Sequence, residues 1–449
     1  MTSTQNNRDF TGAGQQPPLI YATFTLRDWL TLGLILILAG WLRLGMPEAV
    51  EFFHDEAMVS TLAQEMAQGV RFPLEGIISS VGIPNPPTSI YLMALPYRFT
   101  SNPIIATMFI AGLNVLGVGL FWYILRRYYG YGVALVGSLL FAVNPWAVFF
   151  SRKIWQQNFW LPFFLLGLLL ALYGLWENGA LSRRRKAAQA LVLPIWLFAF
   201  QMHFAAWALL PLYILFVWYG RKQFSRMAFA FSLVLSALVI LPYTMGLVRT
   251  LQQDPGRISR ALSTSSSEEI VFLAPSAPPL IQAFRVATGL ELETWVAVGQ
   301  ETDLLQHIPR TDGVWALSGL LLVVGVVTVW RRYDVRRAAL LVIWAALPVL
   351  FFLPPWTRVF PHYLIGSIPA FAALAGVGGA FLYQLLPPQR FRQTIALVGV
   401  GAFALVQALW WVNVQDYLYR TPMDYPAYTT PMGYLTPIRD ALHEYDDVV

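Results

Sequence analysis

The feature that most constrains this chain is a series of apolar stretches, each close to the length of a membrane crossing. A bilayer's hydrocarbon core is about 30 Å thick, and a helix needs about 20 apolar residues to cross it. Such stretches recur at residues 29–45, 103–125, 133–150, 159–176, 187–202, 204–219, 228–248, 314–330, 338–352, 363–386 and 394–411. Residues 187–219 are too many for one crossing, so we divide that run at Gln201, Met202 and His203. The pattern predicts an all-α membrane protein with about eleven transmembrane helices.

Composition supports membrane insertion and excludes several kinds of chemistry. Of the 449 residues, 57% are hydrophobic and 12% are charged, whereas soluble domains carry about 25% charged residues. The chain has no cysteine, which excludes disulfides, thiolate metal sites and a cysteine nucleophile. Its net charge of +6 comes from basic clusters between apolar runs. Membrane topology accounts for that pattern, so we predict no nucleic-acid partner.

Basic residues fall in every second connection between the apolar runs, and this predicts sidedness. Under the positive-inside rule these connections are cytoplasmic. We therefore expect a plasma (inner) membrane protein with a cytoplasmic N-terminus and an extracytoplasmic C-terminus. Residues 1–413 would form one multi-span domain, with long outer loops at 47–102 and 249–313, and residues 414–449 a short outer tail. The basic clusters are Arg126 and Arg127; 183–186; Arg221, Lys222 and Arg226; 331–337; and Arg390 with Arg392.

The first outer loop contains an acidic pair at the start of a helical pattern. Apolar residues at helical spacing predict an amphipathic interfacial helix over residues 57–68, and a second one over 88–99. Asp55 and Glu56 lie just before the first of these. The pair could supply a general base and a partner that orients it or binds a metal. Alternatively, Asp55 caps the helix, and both carboxylates interact favourably with the positive N-terminal end of its dipole. One residue can serve both as a cap and as a base.

The order of these motifs resembles the GT-C superfamily, in particular bacterial protein mannosyltransferases (glycosyltransferase family 39) and the related lipid A sugar transferases. The resemblance rests on Phe53-His54-Asp55-Glu56-Ala57 after the first helix, on Asn144-Pro145-Trp146, on Ser151-Arg152-Lys153-Ile154-Trp155, and on Arg358 followed by His362-Tyr363-Leu364 and Pro369. It implies the GT-C fold, a sugar–phosphate–polyprenol donor, an acceptor hydroxyl and inversion at the anomeric carbon. By the same analogy, Asp55 would be the base.

Basic residues on the outer side are candidates for binding the donor phosphate. A phosphate leaving group requires cations near the developing charge, and Arg152, Lys153 and Arg358 are outer basic residues. Each could instead extend to lipid headgroups. His54, Gln157, Asn158, His203, His362 and Tyr363 are candidates for the cavity or the acceptor site. The alternative for His203 and His362 is a buried structural role.

One departure from the family bears on metal binding. Many relatives carry a second acidic residue where this chain has Gln156-Gln157-Asn158. We therefore assign no cofactor, and a divalent cation bound near Asp55 and Glu56 stays an alternative.

Two other functional classes remain as alternatives. A polytopic transporter or lipid flippase would also have many helices, although such proteins tend to carry ionisable residues at mid-membrane. A polysaccharide polymerase or ligase would use lipid-linked sugars as well. Over both alternatives, the sequence favours an enzyme in contact with membrane lipid that transfers a sugar to a lipid, glycan or protein acceptor.

Overall fold

The computed structural model describes residues 23–79, 82–257, 279–308, 311–354, 359–386, 389–421, 423 and 428–446. Within these ranges the secondary structure is helical, apart from two isolated β-bridges. The predicted phosphate ligand Arg358 lies outside the described residues.

In the first half of the chain, two helices lie in the first outer loop and a series of others, of varied length, lies before and after it. The helices are α1 (Leu26–Leu44), α2 (His54–Ala67), α3 (Thr88–Tyr97), α4 (Pro103–Tyr128), α5 (Tyr131–Val143), α6 (Pro145–Phe149), α7 (Leu161–Ala171), α8 (Arg183–Phe200) and α9 (Pro211–Gly220). Helix α7 continues as a π-helical turn, Leu172–Trp176. Short 3₁₀ segments lie at Pro47–Ala49, Gln156–Asn158, Phe204–Leu209 and Arg221–Gln223.

The described part of the second half adds five long helices, three short helices of the large loop and a helix in the tail. These are α10 (Arg226–Gln253), α11 (Pro279–Thr288), α12 (Glu293–Val296), α13 (Glu301–His307), α14 (Asp312–Arg332), α15 (Val335–Phe351), α16 (Ile368–Leu385), α17 (Gln389–Arg420) and α18 (Met432–Asp446). A 3₁₀ segment, Pro361–Ser367, precedes α16.

Each predicted apolar run falls on helical structure, and many are long enough to cross a membrane. Within the described part of the chain, seven segments have the length and composition of a membrane span. An all-α fold with many spans is thereby confirmed, whereas the number eleven stays a prediction. The seven are Pro103–Tyr128, Gln156–Trp176, Phe204–Gln223, Arg226–Gln253, Asp312–Arg332, Pro361–Leu385 and Val398–Arg420.

One predicted span, 133–150, is two helices rather than one. Helix α5 ends at Val143, and α6 begins at Pro145, a residue whose ring favours the first helical position. The Asn144 side chain accepts a hydrogen bond from the Ala147 amide at 2.9 Å, which caps α6. Beyond the break, α6 contacts the large loop, since the Trp146 indole donates to the Leu290 carbonyl at 3.0 Å.

Three of the basic connections meet at one end of the molecule, and the side of the membrane that this end faces stays a prediction. Arg126 pairs with Asp28 at 2.5 Å, and Arg127 pairs with Glu177 at 2.7 Å. Arg337 donates to the Tyr128 carbonyl at 3.1 Å. These contacts join the start of α1 and the connections after α4, α7 and α14, so the remaining long loops lie together at the opposite end.

The centre of the bundle is packed through glycines. A Cβ built on Gly325 of α14 would lie 1.8 Å from the Leu374 carbonyl of α16, and one on Gly378 would lie 2.0 Å from the Leu321 carbonyl. Only glycine allows two helix backbones to approach this closely, a common device in membrane helix packing. The pair fixes α14 against α16 and, with them, the 3₁₀ segment that opens α16.

Candidate active site

A cavity of about 770 Å³ opens at the end of the molecule opposite the basic connections. Its walls come from the first outer loop, the segment after α6, three 3₁₀ segments, the end of α15, the large loop and the tail. The structure brings together on these walls eight of the predicted site residues, namely His54, Asp55, Glu56, Lys153, Gln157, His203, His362 and Tyr363.

Asp55 faces this cavity from the first turn of α2. The helix begins at His54, three residues earlier than predicted, so its N-cap is Phe53 and not Asp55. The capping bond comes from the next carboxylate, because the Phe53 amide donates to Glu56 at 2.9 Å. No residue in the described ranges forms a hydrogen bond or ion pair with the Asp55 carboxylate. Asp55 is therefore available to a substrate, whereas Glu56 takes the capping role.

Lys153 lies between two glutamates at the base of the cavity. Its Nζ is 2.5 Å from Glu51 Oε2 and 2.9 Å from Glu56 Oε1. The Lys153 side chain is 16% exposed and the Glu56 side chain 1%. The ammonium also lies 4.9 Å from the ring centroid of Trp155, within range of a cation–π contact. One N–H donates to Glu51 and the ammonium forms an ion pair with Glu56, so donor capacity is left for a ligand.

The protonation of this cluster follows from burial and from the paired charges. Desolvation lowers the pKa of Lys153, but attraction to Glu51 and Glu56 outweighs it and leaves the pKa raised. Desolvation raises the pKa of Glu51, yet Lys153 and the hydrogen bonds from Thr429 reverse the shift and lower it. At Glu56, desolvation dominates and the pKa is raised, with the Glu51 charge adding to the effect. Lys153 thus stays an ammonium, and Glu51 is its ionised partner.

Glu51 is a site residue that the sequence analysis missed. It lines the cavity, and its second oxygen, Oε1, accepts from the Thr429 amide at 3.0 Å and from the Thr429 hydroxyl at 2.9 Å. The available signal was an additional acidic residue in the first outer loop of an acid-poor chain. Its role depends on a tail residue 378 positions away, which no local pattern reveals.

Aromatic rings form the opposite wall. His362 stacks on Phe360, with ring centroids 5.5 Å apart and planes 5° apart, and lies 4.8 Å from the Trp155 ring and 5.9 Å from the Trp295 ring. Its Nδ1 is buried without a hydrogen-bond partner among the described residues. His203 lies 5.7 Å from His362. Such a wall presents flat apolar faces with polar edges, which suits a sugar ring.

His203 has a defined hydrogen-bonding state. Burial lowers its pKa to about 4, so the ring is neutral at pH 7. Its Nδ1 accepts from the Ala205 amide at 3.3 Å, which leaves the proton on Nε2. His203 therefore supports the start of the following 3₁₀ segment and can act as a donor through Nε2.

Two predicted residues do not line the cavity. Arg152 donates to the Leu42 and Met46 carbonyls, each at 2.8 Å, so its guanidinium holds the end of α1. Asn158 is buried and donates to the Lys153 carbonyl at 3.0 Å, where it supports the turn that carries Lys153. Both contribute to the shape of the site, because unpaired backbone carbonyls at buried helix ends require such donors.

The carboxylates are not arranged for a divalent cation. Glu56 is engaged by Lys153 and by the Phe53 amide, so a metal beside Asp55 would have to displace an ammonium from its partner. In the part of the chain that the structure describes, no group of three or more His, Asp or Glu side chains could hold a metal ion. We derive no catalytic step through a metal.

The fold is similar to those of two solved membrane proteins. ArnT from Cupriavidus metallidurans bound to undecaprenyl phosphate matches with a TM-score of 0.56 and 16% identity, over 93% of this chain and 79% of that chain. Its apo state matches with a TM-score of 0.54 and 15% identity, over 87% and 76% of the two chains.

The second protein is the oligosaccharyltransferase of Archaeoglobus fulgidus, in complex with Zn and sulfate. It matches with a TM-score of 0.50 and 12% identity, over 89% of this chain and 53% of that one. No protein-family model and no curated protein matches the chain. The similarity to these solved structures confirms the GT-C fold that the resemblance predicted. The family 39 assignment stays a prediction.

Proposed function

We propose that this chain, which has the GT-C fold, is a glycosyltransferase that moves a sugar from a polyprenyl-phosphate donor to an acceptor hydroxyl at the extracytoplasmic membrane face. The observation that carries the proposal is that the Asp55 carboxylate and the Lys153 ammonium line the same cavity. The first is positioned to accept a proton and the second to bind a phosphate. ArnT, with the same fold, was crystallised with a polyprenyl phosphate.

In the proposed reaction the acceptor oxygen attacks the anomeric carbon from the face opposite the phosphate. A new carbon–oxygen bond forms, the bond from the anomeric carbon to the phosphate oxygen breaks, and the configuration inverts. The hydroxyl proton passes to Asp55, and the polyprenyl phosphate leaves as an anion. A positioned general base contributes about 10²–10⁴-fold to such a step.

Lys153 would stabilise the leaving group. Negative charge develops on the phosphate as the bond breaks, and a fixed cation at that point lowers the barrier. Glu51 and Glu56 hold the ammonium in place, so little reorganisation is needed. Arg358 remains a predicted second ligand of the phosphate, whereas the backbone contacts of Arg152 favour a supporting role.

The remaining wall would bind the sugar and the acceptor. The rings of His362 and Trp155 offer a stacking surface, and Gln157 lies on the cavity wall with an amide suited to sugar hydroxyls. His54, His203 and Tyr363 add polar groups around the same space.

Transfer from a panel of radiolabelled polyprenyl-phosphate sugars to membrane extracts tests the function. The native chain in proteoliposomes should move label from one donor to an acceptor and release polyprenyl phosphate. Lys153→Met should lose at least 100-fold in rate, because an apolar side chain cannot offset the leaving charge. Lys186→Met, at the exposed start of α8 near the opposite end, is the matched control and should transfer at the native rate.

Two results would contradict the proposal. Native-rate transfer by a folded Lys153→Met variant would remove Lys153 from the mechanism. Passage of unaltered donor across the liposome membrane, with no label in any acceptor, would instead favour the transporter.

A further inference from the structure

Residues 428–432 of the C-terminal tail, which we call the tail strap, lie beside the cavity as an extended segment up to the start of α18 at Met432. It pairs with the chain after α1, since the Met432 amide donates to the Val50 carbonyl at 2.8 Å and the Phe52 amide donates to the Thr430 carbonyl at 3.2 Å. Its first residue reaches the large loop, where the Tyr428 amide donates to the Val296 carbonyl at 2.9 Å.

The strap holds the segment that carries Glu51. The Tyr428 hydroxyl accepts from the Glu51 amide at 2.7 Å and donates to the Ala49 carbonyl at 2.9 Å. Tyr428 itself lines the cavity. Thr429 is 4% exposed, and both of its donors point to Glu51 Oε1. The other oxygen, Oε2, is left to Lys153.

We propose that the tail strap completes the active site, and that Thr429 is a positioning residue that holds Glu51 against Lys153. The inference rests on the proposed function, because it concerns the cation that would stabilise the leaving phosphate. Thr429 acts through two other side chains and need not touch the substrate.

The physical reason lies in the freedom of a buried carboxylate. A carboxylate has several acceptor positions, and one held only by an ammonium can rotate and carry that ammonium with it. Two hydrogen bonds on Oε1 fix the carboxylate plane and leave Oε2 as the only oxygen for Lys153. A displacement of about 1 Å at a reacting centre can cost on the order of 100-fold in rate.

The hydrogen bonds from Thr429 also influence the protonation of Glu51. The titratable or charged groups facing Glu51 are Lys153 from the segment after α6, Glu56 from α2 and Tyr428 from the strap. Hydrogen bonds to the ionised form lower a carboxyl pKa, and those from Thr429 do so here. Loss of the Thr429 hydroxyl therefore raises the pKa of Glu51, and the carboxyl becomes neutral at a higher pH.

The test compares Thr429→Val with Thr429→Ser in nanodiscs. Valine keeps the shape and the backbone amide but removes the hydroxyl, whereas serine keeps it. For Thr429→Val we expect kcat at pH 7 to fall about tenfold, and the acidic limb of the pH–kcat profile to move to higher pH. Affinity for undecaprenyl phosphate should stay within about threefold of native, because the Lys153 charge is still present. Thr429→Ser should restore both the rate and the profile.

Thr436→Val is the matched control in the same tail. Its hydroxyl donates to the Met432 carbonyl within α18, away from Glu51, so transfer should match the native chain. The inference alone is overturned if Thr429→Val has the native kcat and pH profile. It is also overturned if that variant loses transfer and undecaprenyl phosphate binding in parallel at every pH, as a purely structural role would require. A native chain that binds undecaprenyl phosphate but transfers no sugar refutes the proposed function and, with it, the positioning role.

Discussion

At the residue scale, the cavity depends on how one ammonium is shared by two carboxylates. The pKa of Glu51 is lowered and that of Glu56 is raised, so Glu51 is the ion and Glu56 is the member that holds a proton more readily. Because the Lys153 ammonium is paired with the ionised Glu51, its buried charge is compensated. Glu56 then supports Lys153 as an ion-pair partner, and Asp55 remains the proposed base.

Replacing Glu51 tests this distribution of charge through stability. Glu51→Gln removes a charged partner from Lys153, and a hydrogen bond to a charged group contributes about 2 kcal/mol. Because the folded pKa of Glu51 is lowered, its stabilisation is present above the unfolded pKa of about 4.3 and disappears as the pH falls through the folded pKa. The variant should therefore unfold more easily than the native chain at pH 7, and the difference should narrow in acid.

Thermal unfolding in detergent at several pH values measures the effect. Glu48→Gln makes the same change at an exposed residue of the adjacent 3₁₀ turn and should leave the unfolding temperature unchanged. A Glu51→Gln variant as stable as the native chain at pH 7 would show that the Lys153 pair does not depend on Glu51.

Candidate site residues could be identified from the sequence only where a local pattern distinguished them. Asp55 was identifiable because acids are scarce and it follows the first helix, and Lys153 because it is basic on the outer side. The role of Arg152 was not, since the same charge can bind a phosphate or backbone carbonyls, and only the fold places the Leu42 and Met46 carbonyls beside it.

At the element scale, the outer ends of several helices are unwound into 3₁₀ turns that carry the site. The segments Gln156–Asn158, Phe204–Leu209 and Pro361–Ser367 precede α7, α9 and α16, and each contributes residues to the cavity wall. Hydropathy located these helices but did not reveal the turns, because apolar length is insensitive to helix type. The prolines within the first two positions of α7, α9 and α16 were the available signal.

The Asn144 break connects the bundle to the large loop. Its Nδ2 donates to the Val286 carbonyl at 2.9 Å while its Oδ1 caps α6. Asn144→Ala should cost about 2 kcal/mol of stability, since it removes a cap and leaves a buried carbonyl unpaired. It should also speed amide hydrogen exchange in α11.

Asn102→Ala provides a comparison. Asn102 caps α4 through the Ile104 amide at 2.9 Å without reaching the large loop, so exchange in α11 should stay native. Equal exchange in α11 for the Asn144→Ala variant and the native chain would disprove the anchoring role.

At the scale of the whole molecule, the two ends have opposite chemistry. One gathers the arginines of the connections after α4, α7 and α14 with their partners, and the other gathers Glu51, Asp55, Glu56, Lys153 and the aromatic wall. The alternation of basic clusters was enough to predict this division. The cavity was not predictable in detail, because it unites residues from Glu51 to Tyr428 whose proximity depends on the packing of the entire bundle.

The orientation of the protein in the membrane can be tested by labelling introduced cysteines, and the native chain gives no background labelling because it has no cysteine. Arg184→Cys lies at the exposed start of α8, and Gln300→Cys lies at an exposed position before α13. In intact cells or right-side-out vesicles, a membrane-impermeant maleimide should label the Gln300→Cys variant at once and the Arg184→Cys variant only after permeabilisation. The opposite order would invert the predicted topology.

The most direct measurement of the central claim is the rate of sugar transfer by Asp55→Asn under saturating donor. The change is isosteric but removes the negative charge and, with it, the ability to accept a proton, so the rate should fall by about 10²–10⁴-fold, while undecaprenyl phosphate still binds. Asp416→Asn, which alters an exposed ion pair on α17, should leave transfer at the native rate. If the folded Asp55→Asn variant transfers sugar as fast as the native chain, Asp55 is not the base and the proposed mechanism is wrong.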